Sequence, residues 1–239
     1  MSPTTPNFSF RVATLEDIPI VHPLIESAYS GDESRLGWTT AAHLMAGNRI
    51  DEASLLAKIT DPNSAILLAT TTAKTSNTSV TERTPTAAGT QPPPVATQQK
   101  TDEVVLACCE VALCREGEGE AKTISLGLLA VSPRRQGGGI GRAMLAHAED
   151  YCRRRWADVD RINMHVVASR AELIAWYVRR GYRSNGEEHP FPAEELERSG
   201  TVPLVPLEEL RLVVLEKDLT ECAGADGKRD SRQVERVSL

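Results

Sequence analysis

One stretch narrows what this 239-residue chain can fold into more than any other: Leu128-Leu129-Ala130-Val131-Ser132-Pro133-Arg134-Arg135-Gln136-Gly137-Gly138-Gly139-Ile140-Gly141-Arg142. An apolar strand runs into a turn with four glycines in five positions, and the turn opens a helix whose apolar face carries Met144, Leu145, Ala148 and Cys152. Such an arrangement aims several backbone N–H groups at one place. The helix dipole and the unpaired amides of the first turn favour an anion there, and glycine leaves the backbone bare for close approach. Arg134, Arg135 and Arg142 add cations that can make charge-assisted contacts. The segment therefore predicts a phosphate site. It is not a Walker loop, because no Gly-Lys-Ser or Gly-Lys-Thr occurs in the chain. A dinucleotide fingerprint would need a small residue where Met144 stands, and would follow an early strand rather than lie past the midpoint of the sequence.

Around this turn the hydrophobic period switches between strand-like and helix-like. Residues 8–13 read as a strand, after which Thr14 caps a helix with Ile18, Val21, Leu24 and Ile25 on one face and a bend or break at Pro23. Residues 40–59 read as a second helical stretch, in one piece or two. Strands are predicted over 65–69, 104–113 and 122–131, the last two joined by a turn at 116–120. A helix over 140–156 and a strand over 161–167 follow. The helix over 169–180 has an S-x-x-E capping box in Ser169 and Glu172 and a left-handed stop at Gly181. The last strand spans 210–215. The order β-α-α-β-β-β-α-β-α-β predicts an α/β fold, a mixed sheet flanked by helices. Between residues 71 and 102 Thr, Ser, Pro and Gln dominate, with Pro92, Pro93 and Pro94 in a row, so a disordered loop is expected inside one domain spanning 8–219. Residues 220–239 read as a disordered tail.

Composition excludes several classes of function. A formal charge of −6 argues against a general nucleic-acid binder. No run approaches the roughly 20 apolar residues of a membrane span, and the start lacks a secretory pattern. Five cysteines without a C-x-x-C pair suggest neither a disulfide framework nor a metal site, and a reducing, cytoplasmic setting is expected.

Gln136-x-x-Gly139-x-Gly141, preceded by Val131-x-Pro133, resembles the Gln/Arg-x-x-Gly-x-Gly/Ala signature of the GNAT-type acyl-CoA N-acyltransferases. The stretch from Arg170 through Trp176, Tyr177, Arg179, Arg180 and Gly181 to Tyr182 resembles that superfamily's late helix, and Phe10-Arg11-x-Ala13-Thr14-x-x-Asp17 resembles its opening. The resemblance implies a GNAT-like sheet in which the strand before the turn splays from the next. Pantetheine of acetyl-CoA would then lie along the backbones of Leu129 and Val131. Arg135, Gln136, Gly137, Gly138, Gly139, Ile140 and Gly141 would hold the pyrophosphate, with Arg142 close by. It further implies transfer of an acetyl or short acyl group to a primary amine by direct attack in a ternary complex, without a metal. The acceptor would be a small-molecule or peptide amine; neither nucleic acid nor membrane is expected as a partner, and a homodimer is left open.

Direct attack of an amine on a thioester needs orientation, removal of a proton and stabilisation of the departing thiolate. Tyr177 matches the tyrosine that in many members protonates the thiolate, although on the residues alone it also reads as core, in a stripe with Leu173, Ile174 and Trp176. Many members carry a Glu or His base on the strand leading into the turn; here that strand offers Ser125 and Gly127. Glu110, an isolated acid in the apolar run 106–113, is the candidate base, and a solvent-facing position explains it equally well. His165, on the following strand, reads as structural, with substrate contact as the alternative, and Glu172 as part of the capping box. Arg153, Arg154 and Arg155 complement a helix C-terminus or reach the CoA ribose phosphate. His189-Pro190-Phe191-Pro192 reads as a rigid loop that could wall the acceptor pocket or equally be only a turn. The alternative to an enzyme is a non-catalytic acyl-CoA-binding module.

Overall fold

The computed structural model describes residues 8–72, 103–114 and 123–220. In chain order these form β1 (Ser9–Val12), α1 (Ile18–Tyr29), α2 (Gly31–Ser34), β2 (Met45–Ala46), α3 (Glu52–Thr60), β3 (Ser64–Thr72), β4 (Glu103–Cys114) and β5 (Thr123–Val131). Then follow α4 (Ile140–Arg155), β6 (Arg161–Val167), α5 (Ala171–Val178), β7 (Arg183–Pro190), α6 (Ala193–Ser199), β8 (Val202–Pro203) and β9 (Arg211–Asp218). Seven strands make one sheet in the order β1-β3-β4-β5-β6-β9-β7, antiparallel except where β5 meets β6.

The central strands are apolar on both faces because helices cover both. Ile66, Leu68 and Cys108 pack against Val21, Leu24 and Ile25 of α1 and Leu55 of α3. Their neighbours Leu67, Ala69 and Cys109 point the other way, onto Met144, Leu145, Ala148 and Cys152 of α4. This is why the runs read as continuously hydrophobic rather than alternating.

Two irregularities position the site. The β4–β5 register shifts between Cys108, opposite Ala130, and Glu110, opposite Gly127, so that Leu128 and Leu129 together face Cys109. Leu128 takes up this bulge with φ 45°, the one non-glycine residue at positive φ among the described residues. On its other side β5 pairs with β6 only through Ile124 with Ile162 and Ser125 with Asn163. Past Ser125 the two strands part, and a cleft opens between them.

Several expectations need correction. The helix predicted over 40–59 is confined to Glu52–Thr60, where Asp51 caps it by accepting from the Ser54 amide at 2.7 Å. Gly47, at φ 84°, breaks the preceding stretch, and β2 pairs with β8 instead. Helix α1 continues through Pro23. Thr71 and Thr72 belong to β3, with Thr72 opposite Glu103, so the predicted loop begins later; residues 73–102, the turn at 116–120 and residues 221–239 lie outside the described residues. Strand β7 is exposed along its whole length and polar in sequence, so it carries no alternation by which to predict it. The rigid loop expected at His189 and Pro190 is the end of this strand.

Candidate active site

A cavity of about 310 Å³ lies between the end of β5 and α5, with Leu129 and Val131 on one wall, Leu173, Trp176 and Tyr177 on the other, and Gly137, Gly139, Gly141 and Arg142 at one end. Gly137 at φ 81° and Gly139 at φ 83° are left-handed, and a Cβ on either would meet nothing within 4 Å. The backbone conformation demands glycine, and the space above it is free for a ligand. Gly141 lies in the first turn of α4, where a Cβ would stand 3.5 Å from Val131 and 3.6 Å from Trp176.

The other residues of the turn divide by role. Gln136 is a strut: its Nε2 donates to the Val131 carbonyl at 3.1 Å and its Oε1 accepts from the Trp38 amide at 3.0 Å. Ile140 is buried in the core, so only its backbone can face a ligand. Arg135 and Gly138 belong to the turn but do not line the cavity, whereas Arg142 and Arg180 do. Arg180 stacks over Trp176, its guanidinium carbon 3.5 Å from the ring centroid. Burial, with the neighbouring Arg179 and Arg142, pushes its guanidinium below the usual arginine range. Cations crowd this mouth. The Nε atoms of Arg170 and Arg180 are also buried without a partner. Bare glycine backbone, the cations Arg142 and Arg180 and the unpaired Nε of Arg180 together fit the pyrophosphate of a ligand such as CoA.

A second cavity, about 540 Å³, lies beyond the first and shares Tyr29, Leu129, Arg170, Leu173 and Tyr177 with it. Tyr177 of α5 is buried, set edge-on between Trp176 at 5.0 Å and Tyr182 at 5.7 Å between centroids, and burial pushes its hydroxyl well up. Tyr29, which nothing in the sequence singled out, donates to the carbonyl of Leu129 at 3.3 Å, next to the bulge.

Glu110 lines the second cavity and is 8% exposed, which removes the solvent-facing alternative. Lys58 of α3 donates to its Oε1 at 2.6 Å. Its Oε2 lies 3.0 Å from where a Cβ on Gly127 would stand, so the carboxylate of β4 occupies the space left by the missing side chain on β5. Glu195 of α6 pairs with Arg49 at 2.9 Å, and Arg49 in turn covers the Tyr29 ring. Phe191 and Pro192 line this cavity, together with His165 and His189, whose rings are 5.8 Å apart.

The capping box does not form. Helix α5 starts at Ala171 with Arg170 as its cap residue, which leaves Ser169 one position too early. Glu172 instead accepts from the Thr39 hydroxyl at 2.9 Å, and Thr39 accepts from Arg170 at 2.8 Å. Arg153 and Arg155 sit at the far end of the 16-residue α4, about 24 Å from the glycine turn, and bind the carbonyls of Leu219 and Pro62. They do not reach the cleft. Burial pushes the Cys108 and Cys152 thiols up to about 12 and raises the Cys109 thiol well above the usual range, which makes all three poor nucleophiles. Among the described residues no group of His, Cys, Asp and Glu is placed to hold a metal, and no helix is long and apolar enough to cross a membrane.

Residues 73–182 match the model of the acetyltransferase (GNAT) family. None of the curated proteins matches the chain. Among solved structures, yncA of Salmonella typhimurium, an acetyltransferase with its cofactor acetyl-CoA, superposes with a TM-score of 0.54 at 17% identity over 93% of this chain and 99% of its own. The ribosomal-protein-S18-alanine N-acetyltransferase of Escherichia coli gives 0.52 at 14% identity, over 93% and 99%. The ribosomal-protein-alanine N-acetyltransferase of Brucella melitensis gives 0.52 at 18% identity, over 88% and 99%. At these identities the likeness is one of fold.

Proposed function

The chain carries an acetyltransferase domain of the GNAT family, and on that premise we propose that it moves an acetyl or other short acyl group from acetyl-CoA to a primary amine of a small molecule or peptide by direct attack in a ternary complex. The observation that carries this reading is the meeting of two cavities at Tyr177: a thioester can enter by one mouth and an amine by the other. Amides of the glycine turn, with Arg142 and Arg180, hold the pyrophosphate. The carbonyls of Leu129 and Val131 each accept one bond already, from Tyr29 and Gln136, and keep a second lone pair for the amides of pantetheine.

Three residues of the chain then act on the reaction. The carboxylate of Glu110, held over Gly127 by Lys58, takes the proton of the attacking amine, directly or through a water. Burial keeps the Tyr177 hydroxyl protonated, so that it can give its proton to the thiolate as the C–S bond breaks. Tyr29 fixes the backbone at the bulge, where the thioester lies. Release of free thiol from acetyl-CoA across a panel of amines, with mass spectrometry of the product, tests the reading. Amine-dependent thiol release is expected, and Glu110→Gln should lower kcat by roughly tenfold or more. Tight binding of acetyl-CoA with no amine supporting release would make the protein a binding module.

A further inference from the structure

The acceptor's chemical class follows from the charges around the point where the two cavities meet, given the acyl-transfer reading above. The acceptor cavity carries two carboxylates, and each has its own cation: Glu110 has Lys58 at 2.6 Å and Glu195 has Arg49 at 2.9 Å. Arg170 lines both cavities, and among the described residues no carboxylate pairs with it. Among the described residues its side chain bonds only the Thr39 hydroxyl, at 2.8 Å, and its buried Nε has no acceptor. Thr39 is itself tied to Glu172 at 2.9 Å, so the guanidinium is held in place rather than swinging free. A fixed, partly desolvated cation that no carboxylate pairs directly, Glu172 reaching it only through the Thr39 hydroxyl, is costly to the protein alone, and that cost is offset when an anion docks.

We propose that the anion is a carboxylate on the acceptor itself, and that the acceptor is a small α- or β-amino acid. CoA does not supply it, because its phosphates belong with the glycine turn, Arg142 and Arg180, and only neutral pantetheine and thioester reach Tyr177. The attacking nitrogen must come to that same place. A carboxylate recognised there by Arg170 is therefore only a few bonds from the amine. Polyamines bring further positive charge to an arginine that no carboxylate pairs directly, and a peptide N-terminus has an amide where the carboxylate should be. Apolar walls at Met164, Phe191 and Leu212 leave room for the amino acid's side chain.

Matched pairs decide it: tyrosine and tyramine, histidine and histamine, methionine and 3-(methylthio)propylamine, with spermidine and a short peptide as competitors. The acid of at least one pair should exceed its decarboxylated partner in kcat/KM by roughly 30-fold or more, the order expected when a buried charged group is left unpaired. Arg170→Gln should cut that acid-to-amine ratio at least roughly tenfold, and Arg170→Lys should restore part of it. Preference for spermidine, the peptide or the decarboxylated amines overturns the proposal, as does an equal loss for both members of a pair in Arg170→Gln. Calorimetric titration of the amino acids into the protein with CoA separates this from failure of acyl transfer. If no amine is acetylated, binding that weakens in Arg170→Gln still supports the site, and no binding sinks it.

Discussion

The two cavities that meet at Tyr177 are built on different plans. The far end of the donor cleft is main chain: Gly137, Gly139 and Gly141 lie within five residues, and two of them are held at positive φ with open space above. The acceptor cavity is made of side chains brought from separate elements, Lys58 from α3, Glu110 from β4, His165 from β6 and Glu195 from α6. Its two ion pairs both close within the acceptor side, and neither reaches the glycine turn. A backbone cradle recognises one invariant chemical group and cannot be retuned without moving the chain. A side-chain pocket can be altered residue by residue while the other cavity keeps its ligand.

Tyr177 belongs to both cavities, so it is where that separation should fail and where the largest effect is expected. Tyr177→Phe keeps the ring against Trp176 and Tyr182 and removes only the hydroxyl. We expect kcat to fall about 10²-fold with both Michaelis constants little changed, while stability shifts by about 1 kcal/mol or less. Because burial raises the hydroxyl's pKa, its acid form outlasts that of an ordinary tyrosine, which ionises near pH 10. The wild-type kcat should therefore show no loss attributable to this group up to about pH 9. Steady-state rates and a pH profile check both points. A phenylalanine variant with wild-type kcat, once product release is shown not to limit the rate, leaves Tyr177 as core alone.

The same contrast explains what the sequence made legible. The glycine turn could be read because its parts are consecutive: strand, glycines and helix start fall within fifteen residues, and Gly137 and Gly139 take the positive φ that glycine favours. Glu110 stood out only because a charge interrupts an apolar strand. That it fills the gap over Gly127 depends on a cross-strand register shifted by a bulge at Leu128, which no local pattern encodes. Tyr29, Arg49 and Glu195 carried no signal, since their roles arise from contacts between distant segments. Ser169 and Glu172 show the opposite error. Their spacing fits a capping box, but Thr39, 133 positions away from Glu172, takes the carboxylate once the chain has folded. The polar edge strand β7 escaped for want of alternation.

Gly141→Leu probes the donor side alone. The position is helical and a Cβ there makes ordinary contacts at 3.5 Å, so the exchange should leave stability unchanged or raise it by a few tenths to about 1 kcal/mol. The longer side chain fills the cleft over the backbone amides, and acetyl-CoA affinity should drop roughly tenfold or more, about 1.4 kcal/mol. Calorimetry and thermal unfolding read the two effects on one sample. Undiminished affinity in a folded variant would mean that the glycine turn is not the cradle.

Lys58→Met makes the corresponding change on the acceptor side, with the smallest effect. The thioether keeps the apolar stem of the lysine and removes the ammonium that holds Glu110 at 2.6 Å. Lys58 is 37% exposed, so solvent screens the pair, and a stability loss of about 1 kcal/mol or less is expected. The carboxylate loses its tether over Gly127 but not its place on β4. We therefore expect kcat for the amine to fall roughly three- to fivefold, well short of the loss in Glu110→Gln, which removes the proposed base itself. Acetyl-CoA affinity should not change, because no atom of Lys58 lines the donor cleft. A parallel loss of acetyl-CoA binding would show that the two cavities are coupled through β5, whose Gly127 and Leu129 lie on either side of the bulge, and the separation drawn between them would have to be given up.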